Sequence, residues 1–267
     1  MSLGMSLGFQ LSQKIRWKGL PIKEAAHDEL NSYFPPTERG RQLVDRYGLV
    51  PWSGKLSRST WDELLGTLDL LDQIPVHFFG EGAGKGAKDG RVFNALDVGA
   101  KSWRYLGALK SWLERQFSAD VGSIALTGVE LDAFRLYRNL RTGFSYGRYF
   151  AKQFSEEKFC CRYEAMDVLD WQKRADLISW FFPFVTPSAH LAWGLPEKLF
   201  EPAAIFSHVE RLLYPGGRLL MANPGEWEWE IAKQLMGRLK LIFETRVTGS
   251  LHPSPYPIFV SVWSCGG

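Results

Sequence analysis

The sequence predicts an α/β fold: a seven-stranded, mostly parallel sheet with an antiparallel last strand, helices on both faces, and a helical N-terminal extension. Three observations predict it. From residue 91 onward, short apolar runs alternate with helix-patterned segments, as in a parallel sheet covered by crossover helices. The final two apolar runs are joined by a Gly/Ser/Pro loop with no helix between them, which implies an antiparallel hairpin at one edge. The 267 residues, 45% hydrophobic and 23% charged, suffice for one large domain with a buried core.

The elements come in this order. Residues 1–8, MSLGMSLG, read as an expression scar, with neither the basic nor the apolar region of a signal peptide. Residues 9–90 read as a mostly helical cap, broken by Pro21, Pro35, Pro36 and Pro51. A helix opens at Ser59–Glu63, with Thr60 and Glu63 at capping-box spacing. Leu64, Leu65, Leu68 and Leu71 lie next on one face. Gly80 to Gly90 is a glycine-rich loop by composition, read as a lid or linker.

Residues 91–267 form the predicted catalytic domain. Its strands are Val92 to Val98, Ser123 to Val129, Phe159 to Met166, Asp176 to Phe182, Arg218 to Ala222, Leu241 to Val247 and Ile258 to Trp263. Helices are predicted from Ser102 to about Phe117, from near Asp132, from Phe200 to Leu213, and from Trp227 to Leu239. Such apolar runs suit strands buried on both faces.

Composition narrows the function. The formal charge of +3, from 32 basic and 29 acidic residues, is too mild to argue for nucleic acid by itself. Cys160, Cys161 and Cys265 contain no CxxC pair, and an odd count with two adjacent thiols predicts a reduced, cytoplasmic protein. Cys160 and Cys161 are expected to be buried and inert. The richest apolar stretch, Ile178 to Leu195, is interrupted by Pro183, Pro187 and His190, so no membrane partner is expected. The 11 Trp, 18 Phe and 9 Tyr demand a dense core, aromatic cleft walls, or both.

In open α/β sheets, ligands bind beyond the carboxyl ends of the strands. Asp97, Glu130 and Asp167 stand at three successive strand ends, where carboxylates can accept from ribose hydroxyls or an amino group. A dinucleotide fold would need GxGxxG with an acid about 20 residues on. Only Gly99 fits, and Glu130 lies 31 positions beyond it. A P-loop fails too, because Gly84-Lys85 is followed by Gly86.

These residues resemble the class I S-adenosylmethionine-dependent methyltransferases over Val92 to Trp263. ALDVGAKSW resembles the family's acidic-x-Gly-x-Gly loop, TGVELD its second-strand end, EAMDVLD its third-strand end, and RLLYPGGRLLMANP its Pro-Gly-Gly turn before the fifth strand. LIFETRV and IFVSVW resemble its closing hairpin. The resemblance implies S-adenosylmethionine as cofactor. It places Asp97, Gly99, Ala100 and Lys101 in the first loop, Glu130 and Leu131 at the ribose, Met166, Asp167 and Val168 at the adenine, and Ser179 at the methyl-transfer site. The chain departs from the family where Lys101 and Trp103 stand at expected glycines. Lys101 could meet the cofactor's carboxylate, or the loop could have lost the cofactor.

Each residue also has a plainer role. Asp97 could cap a helix, Glu130 or Asp132 could start one, and Asp170 could replace Asp167. His190, in the loop after the fourth strand, is the candidate proton acceptor, although a lone His is more often structural. His27, His77, His208 and His252 are scattered, with no metal-ligand spacing. Trp180, Trp193 and Trp227 are candidate substrate contacts, and for Trp180 and Trp229 core packing competes. ISWFFPF fits poorly with the Asn/Asp-Pro-Pro-aromatic loop of amino-methylating enzymes. Arg135, Arg138, Arg141 and Arg148, interleaved with aromatics on the helix expected after Glu130, form either a solvated face or an RNA contact. The expected function is methyl transfer to a small or aromatic acceptor. The alternatives are an RNA methyltransferase, a non-catalytic binding module of the same fold, and another nucleoside-binding enzyme.

Overall fold

In a computed structural model, residues 3–22, 37–52, 54–76, 92–117 and 122–266 are described. The Gly80–Gly90 loop, His27 and His77 lie outside them. Seven strands form one sheet: β1 (Val92–Val98), β2 (Ser123–Glu130), β3 (Phe159–Ala165), β4 (Ala175–Phe181), β5 (Leu213–Pro224), β6 (Lys240–Val247) and β7 (Ile258–Ser264). Their order is β3-β2-β1-β4-β5-β7-β6, parallel except for β7, which runs antiparallel to both β5 and β6. The first five strands follow the doubly wound order, and the change of direction falls between β1 and β4.

Alternation of side chains along β1 and β4 divides the core in two. Phe93, Ala95, Leu177 and Phe181 belong to one cluster, whereas Leu96, Val98, Ile178 and Trp180 belong to the other. The first cluster is covered by α3 (Arg58–Leu71), α4 (Leu106–Phe117) and α5 (Gly143–Phe154). The second is covered by α7 (Pro202–Leu212) and α8 (Gly225–Leu235). Every residue of β4 is buried, as expected of a central strand with helices on both faces.

Residues N-terminal to the sheet form α1 (Leu3–Ile15), α2 (Glu38–Arg46) and α3. Residues 3–8 are thus part of a helix, and Gln13 Nε2 donates to the Leu131 carbonyl at 2.8 Å. Leu43, Val44, Trp61 and Leu64 join the same core cluster as the sheet. Ser57, not Thr60, caps α3, accepting from the Thr60 N–H at 3.3 Å.

Four expectations are corrected. No helix begins near Asp132; residues 131–142 are turns and loop, and α5 starts at Gly143 behind a Thr142–Ser145 capping box. The supposed arginine stripe therefore does not share one helix face. The helix expected from Ser102 starts at Leu106, because residues 99–105 fold into a tight loop. His190 lies not in a loop but on a seven-residue helix, α6 (Pro187–Trp193). Cys160 is exposed and only Cys161 is buried, because β3 is an edge strand with one solvated face.

Candidate functional site

β1 lies between β2 and β4, and the chain leaves β1 and β4 toward opposite sides, so an opening forms at their carboxyl ends. The loop after β1 folds back across it. The Gly99 and Ala100 N–H groups both donate to the Val129 carbonyl, at 2.9 and 3.1 Å. The Lys101 N–H donates to Glu130 Oε2 at 2.7 Å, and Tyr163 Oη donates to the Lys101 carbonyl at 2.5 Å. Gly99, Lys101 and Trp103 have φ of +71°, +52° and +54°. Every second residue of this loop is therefore left-handed, a conformation costing an L-residue about 1–2 kcal/mol. The residue types have changed at 101 and 103, yet the backbone remains one that glycine would favour.

Packing around Asp97 offsets the cost at Trp103. Trp103 is completely buried, and its Nε1 donates to Asp97 Oδ2 at 2.8 Å. Tyr105 Oη donates to the same oxygen at 2.8 Å, and Ser179 Oγ donates to Oδ1 at 2.6 Å. Asp97 is itself fully buried, and burial pushes its carboxyl up to about 7 against these three hydrogen bonds. Asp97 and Ser179 thus brace the loop from beneath, and neither they nor Ala100 are among the residues lining the opening.

The opening is a cavity of about 120 Å³. Gly99, Lys101, Glu130, Leu131, Met166, Asp167 and Val168 form one wall. Trp180, Phe184, His190, Trp193 and Phe200 belong to the other. Sequence-predicted residues from five separate segments therefore meet here. Each Glu130 oxygen already accepts one backbone N–H, from Lys101 or, at 2.7 Å, from Asp132. A carboxylate oxygen can accept more than one such bond, so acceptor capacity remains on Glu130. Burial raises its carboxyl above the usual range, with both backbone N–H groups opposing that shift. Asp167 Oδ1 accepts from the Leu169 N–H at 3.0 Å, which fixes the turn carrying Val168.

The outer wall is built by α6 together with Leu195, Leu199 and Phe200. The Arg135 guanidinium donates to the Trp193 carbonyl, and its Cζ lies 4.5 Å from the Trp193 ring centroid. Arg135 is itself held by Asp132 at 2.6 Å. Lys101 Nζ reaches across the cavity, 5.3 Å from the Trp193 ring and 5.7 Å from that of Phe182. Burial pushes the Lys101 ammonium down, opposed by Glu130, Glu63 and Asp97. His190 is buried, with Nε2 2.9 Å from the Pro196 carbonyl. A carbonyl only accepts, so Nε2 carries the proton and Nδ1 is the acceptor nitrogen of the neutral ring. The aromatic rings of Phe184 and Phe200 flank His190 at 5.8 and 5.4 Å.

Trp180 serves the core as well as the wall, packing on Phe206 at 4.6 Å. Trp227 is 75% exposed on α8 and does not line the cavity; Trp229 is buried among Phe259 and Trp263. His208 is buried, its Nε2 2.9 Å from the Trp171 carbonyl. Among the described residues, no group of three His, Cys, Asp or Glu side chains could hold a metal. No helix among them is long and apolar enough to cross a membrane. Sequence reasoning missed Arg135 as the tie to Trp193, and Phe184 and Phe200 as wall residues. Arg135 gave no separate signal within its run of arginines.

No protein-family model matches the chain, and no curated protein matches it by sequence. Solved structures with similar architecture include the N-methyltransferase NodS from Bradyrhizobium japonicum, 13% identical with a TM-score of 0.41, covering 67% of this chain and 89% of that one. Magnesium protoporphyrin IX methyltransferase from Synechocystis, with S-adenosylmethionine bound, is 9% identical with a TM-score of 0.46, covering 87% and 99%. TrmN from Thermus thermophilus is 15% identical with a TM-score of 0.44, covering 75% and 53%. These likenesses are too distant to assign a role to any residue of this chain.

Proposed function

We propose that this chain is a methyltransferase that uses S-adenosylmethionine. The observation carrying this reading is the bond from the Lys101 N–H to Glu130, which joins a left-handed loop after β1 to the carboxylate ending β2. That arrangement fixes the loop against a carboxylate with acceptor capacity left, at the reversal of strand order, where a nucleoside ligand binds.

The donor set fits the cofactor. Glu130 would hold the ribose hydroxyls. Asp167 and the Val168 backbone would meet the adenine edge, with Met166 and Leu131 as apolar walls. Lys101 would meet the carboxylate. The cavity, lined in part by Lys101 and Trp193 in contact with one another, is smaller than the roughly 300–1,000 Å³ usual for a ligand pocket. Their cation–π contact is worth about 0.5–2 kcal/mol, so the Lys101 side chain can leave the Trp193 ring at modest cost while Arg135 still holds Trp193.

When bound, S-adenosylmethionine supplies an electrophilic methyl carbon on a sulfonium centre. The chain's own part is to bind, align and exclude water. Phe184, Trp193 and Phe200 offer flat apolar surface for a small or aromatic acceptor. His190, its Nε2 proton committed to Pro196, would take a proton from the acceptor at Nδ1.

Calorimetric titration with S-adenosylmethionine and S-adenosylhomocysteine tests this. Micromolar binding is expected, lost in Glu130→Ala and weakened in Asp167→Ala, with thermal melts checking that both variants fold. Absence of binding to the unaltered chain at millimolar ligand would overturn the reading.

A further inference from the structure

Two large cavities lie away from the strand ends. These open grooves, of about 1250 and 970 Å³, flank residues 18–22 and share Pro21, Ile22 and Tyr149 in their walls. This strip is strapped to the start of α5. Thr142 Oγ1 donates to the Lys18 carbonyl at 2.9 Å, and the Leu20 N–H to the Leu140 carbonyl at 3.0 Å. Gly19 permits the close approach, since a Cβ there would stand 2.8 Å from the Thr142 nitrogen.

Charge is sorted unevenly along the two grooves. The larger is lined by Lys55, Arg58, Arg104 and Arg141 against one acid, Asp62. The other is lined by Lys18, Arg148, Lys152 and Arg162 against Glu164. Among the described residues lining the two grooves, eight cations face two carboxylates, in a chain whose overall totals are 32 and 29. Among the described residues, no carboxylate lies within ion-pair distance of Lys18, Lys55, Arg141, Arg148, Lys152 or Arg162. Arg104 is paired with Glu63 at 3.5 Å and donates to Ser59 Oγ at 3.1 Å, while its buried Nε has no hydrogen-bond acceptor.

Aromatic rings alternate with these cations. The Arg104 and Arg141 guanidiniums lie 4.5 and 6.0 Å from the Tyr146 ring centroid. Lys18 and Arg148 lie 5.8 and 5.9 Å from that of Phe144. Tyr149, half-buried, stands between the grooves. The six cations with no carboxylate in reach call for a polyanion, and flat rings among them call for stacking partners. A single nucleic-acid strand supplies both along its length, whereas an acidic peptide supplies only the charge. The larger groove exceeds the usual size of a small-molecule pocket and the smaller lies near its upper end.

We propose that the paired grooves beside residues 18–22 bind a single RNA strand, its phosphates along the lysines and arginines and its bases against Tyr149 and Phe144. The site is separate from the strand-end cavity and does not depend on what that cavity binds.

Fluorescence anisotropy with a labelled single-stranded RNA of about 12 nucleotides, within the ~4–16-nucleotide range of such sites, tests the proposal. Binding should weaken steeply with salt, with log K falling by about 0.7 per neutralised phosphate for each unit of log salt. The exposed pair Lys55→Glu and Arg148→Glu should together weaken binding at least tenfold and flatten that slope. Tyr149→Ala should weaken it severalfold with the slope unchanged. Binding insensitive to all three substitutions would overturn the proposal. So would equal affinity for a polyglutamate peptide, or a preference for duplex RNA. Binding of S-adenosylhomocysteine, measured on the same variants, should stay unchanged. Its failure in the unaltered chain would sink the methyl-transfer reading and leave the RNA site standing.

Discussion

Trp103 Nε1 donates to Asp97 Oδ2 at 2.8 Å, and both side chains are completely buried. The acid one residue from the end of β1 is thereby turned toward its own loop. Room for the indole is made across the sheet by Gly128, where a Cβ would stand 2.7 Å from Trp103 Cε2 and 3.0 Å from the Ala100 Cβ. Gly128→Ala is expected to destabilise by about 1–3 kcal/mol through overpacking. Trp103→Phe should cost a similar ~1–3 kcal/mol by removing a donor to a buried carboxylate. Because the smaller ring relieves the clash, the double variant should cost less than the sum. Urea unfolding of the four proteins measures this; strict additivity would refute the contact.

Asp97 also sets a pH dependence. Its carboxyl is raised from 3.8 to about 7 in the folded chain, so between those values the folded state binds more protons than the unfolded one. The stability contributed is full below the unfolded value and is lost as pH rises through about 7. Asp97→Asn removes the titration while the amide still offers an oxygen to Trp103 and Tyr105. The Tm of the unaltered chain should fall relative to that of Asp97→Asn as pH rises from about 4 to about 8. A constant difference would show that Asp97 does not titrate there.

The sheet was legible because its strands are short apolar runs punctuated by Gly, Pro and acids, and the closing hairpin followed from the missing crossover helix. Glu130 and Asp167 could be placed because each ends such a run. Asp97 stands one residue from the end of another, yet its burial depended on Trp103, Tyr105 and Ser179 arriving from a loop and a neighbouring strand. The late start of α5 was hidden because Phe134 and Tyr137 mimic helical spacing, whereas the decisive signal was the Thr142–Ser145 box. Helix α6, which forms the outer wall of the cavity and acts as its lid in the proposed function, was hidden because Pro187 reads as a loop breaker, though at the first helical turn proline is well tolerated. The left-handed backbone at Lys101 and Trp103 left no trace in composition, since the usual marker of such a backbone is glycine itself.

Lys101 allows that backbone to be tested apart from its charge. Lys101→Ala and Lys101→Gly both remove the ammonium from the cavity, and they differ only in the Cβ on a residue with φ of +52°. The glycine variant should be the more stable by about 1 kcal/mol, read as the difference in unfolding midpoint. Both should bind S-adenosylhomocysteine equally weakly if the ammonium meets its carboxylate. Unchanged affinity in both would remove Lys101 from that role, and equal stability would refute the strain.

Arg135 ties the lid to the loop after β2, through its bond to the Trp193 carbonyl and its stacking on the Trp193 ring. It stands outside the cavity wall, so its removal should affect closure more than contact with the ligand. Arg135→Ala is expected to speed dissociation of S-adenosylhomocysteine about tenfold, the equivalent of ~1.4 kcal/mol, with a smaller effect on association. Arg135→Lys keeps a charge for Asp132 but loses the planar, forked donor, and should recover only part of the loss. Stopped-flow tryptophan fluorescence, compared with a Trp193→Phe control, reads both rates. A change confined to association would mean that Arg135 steers the ligand and does not latch the lid.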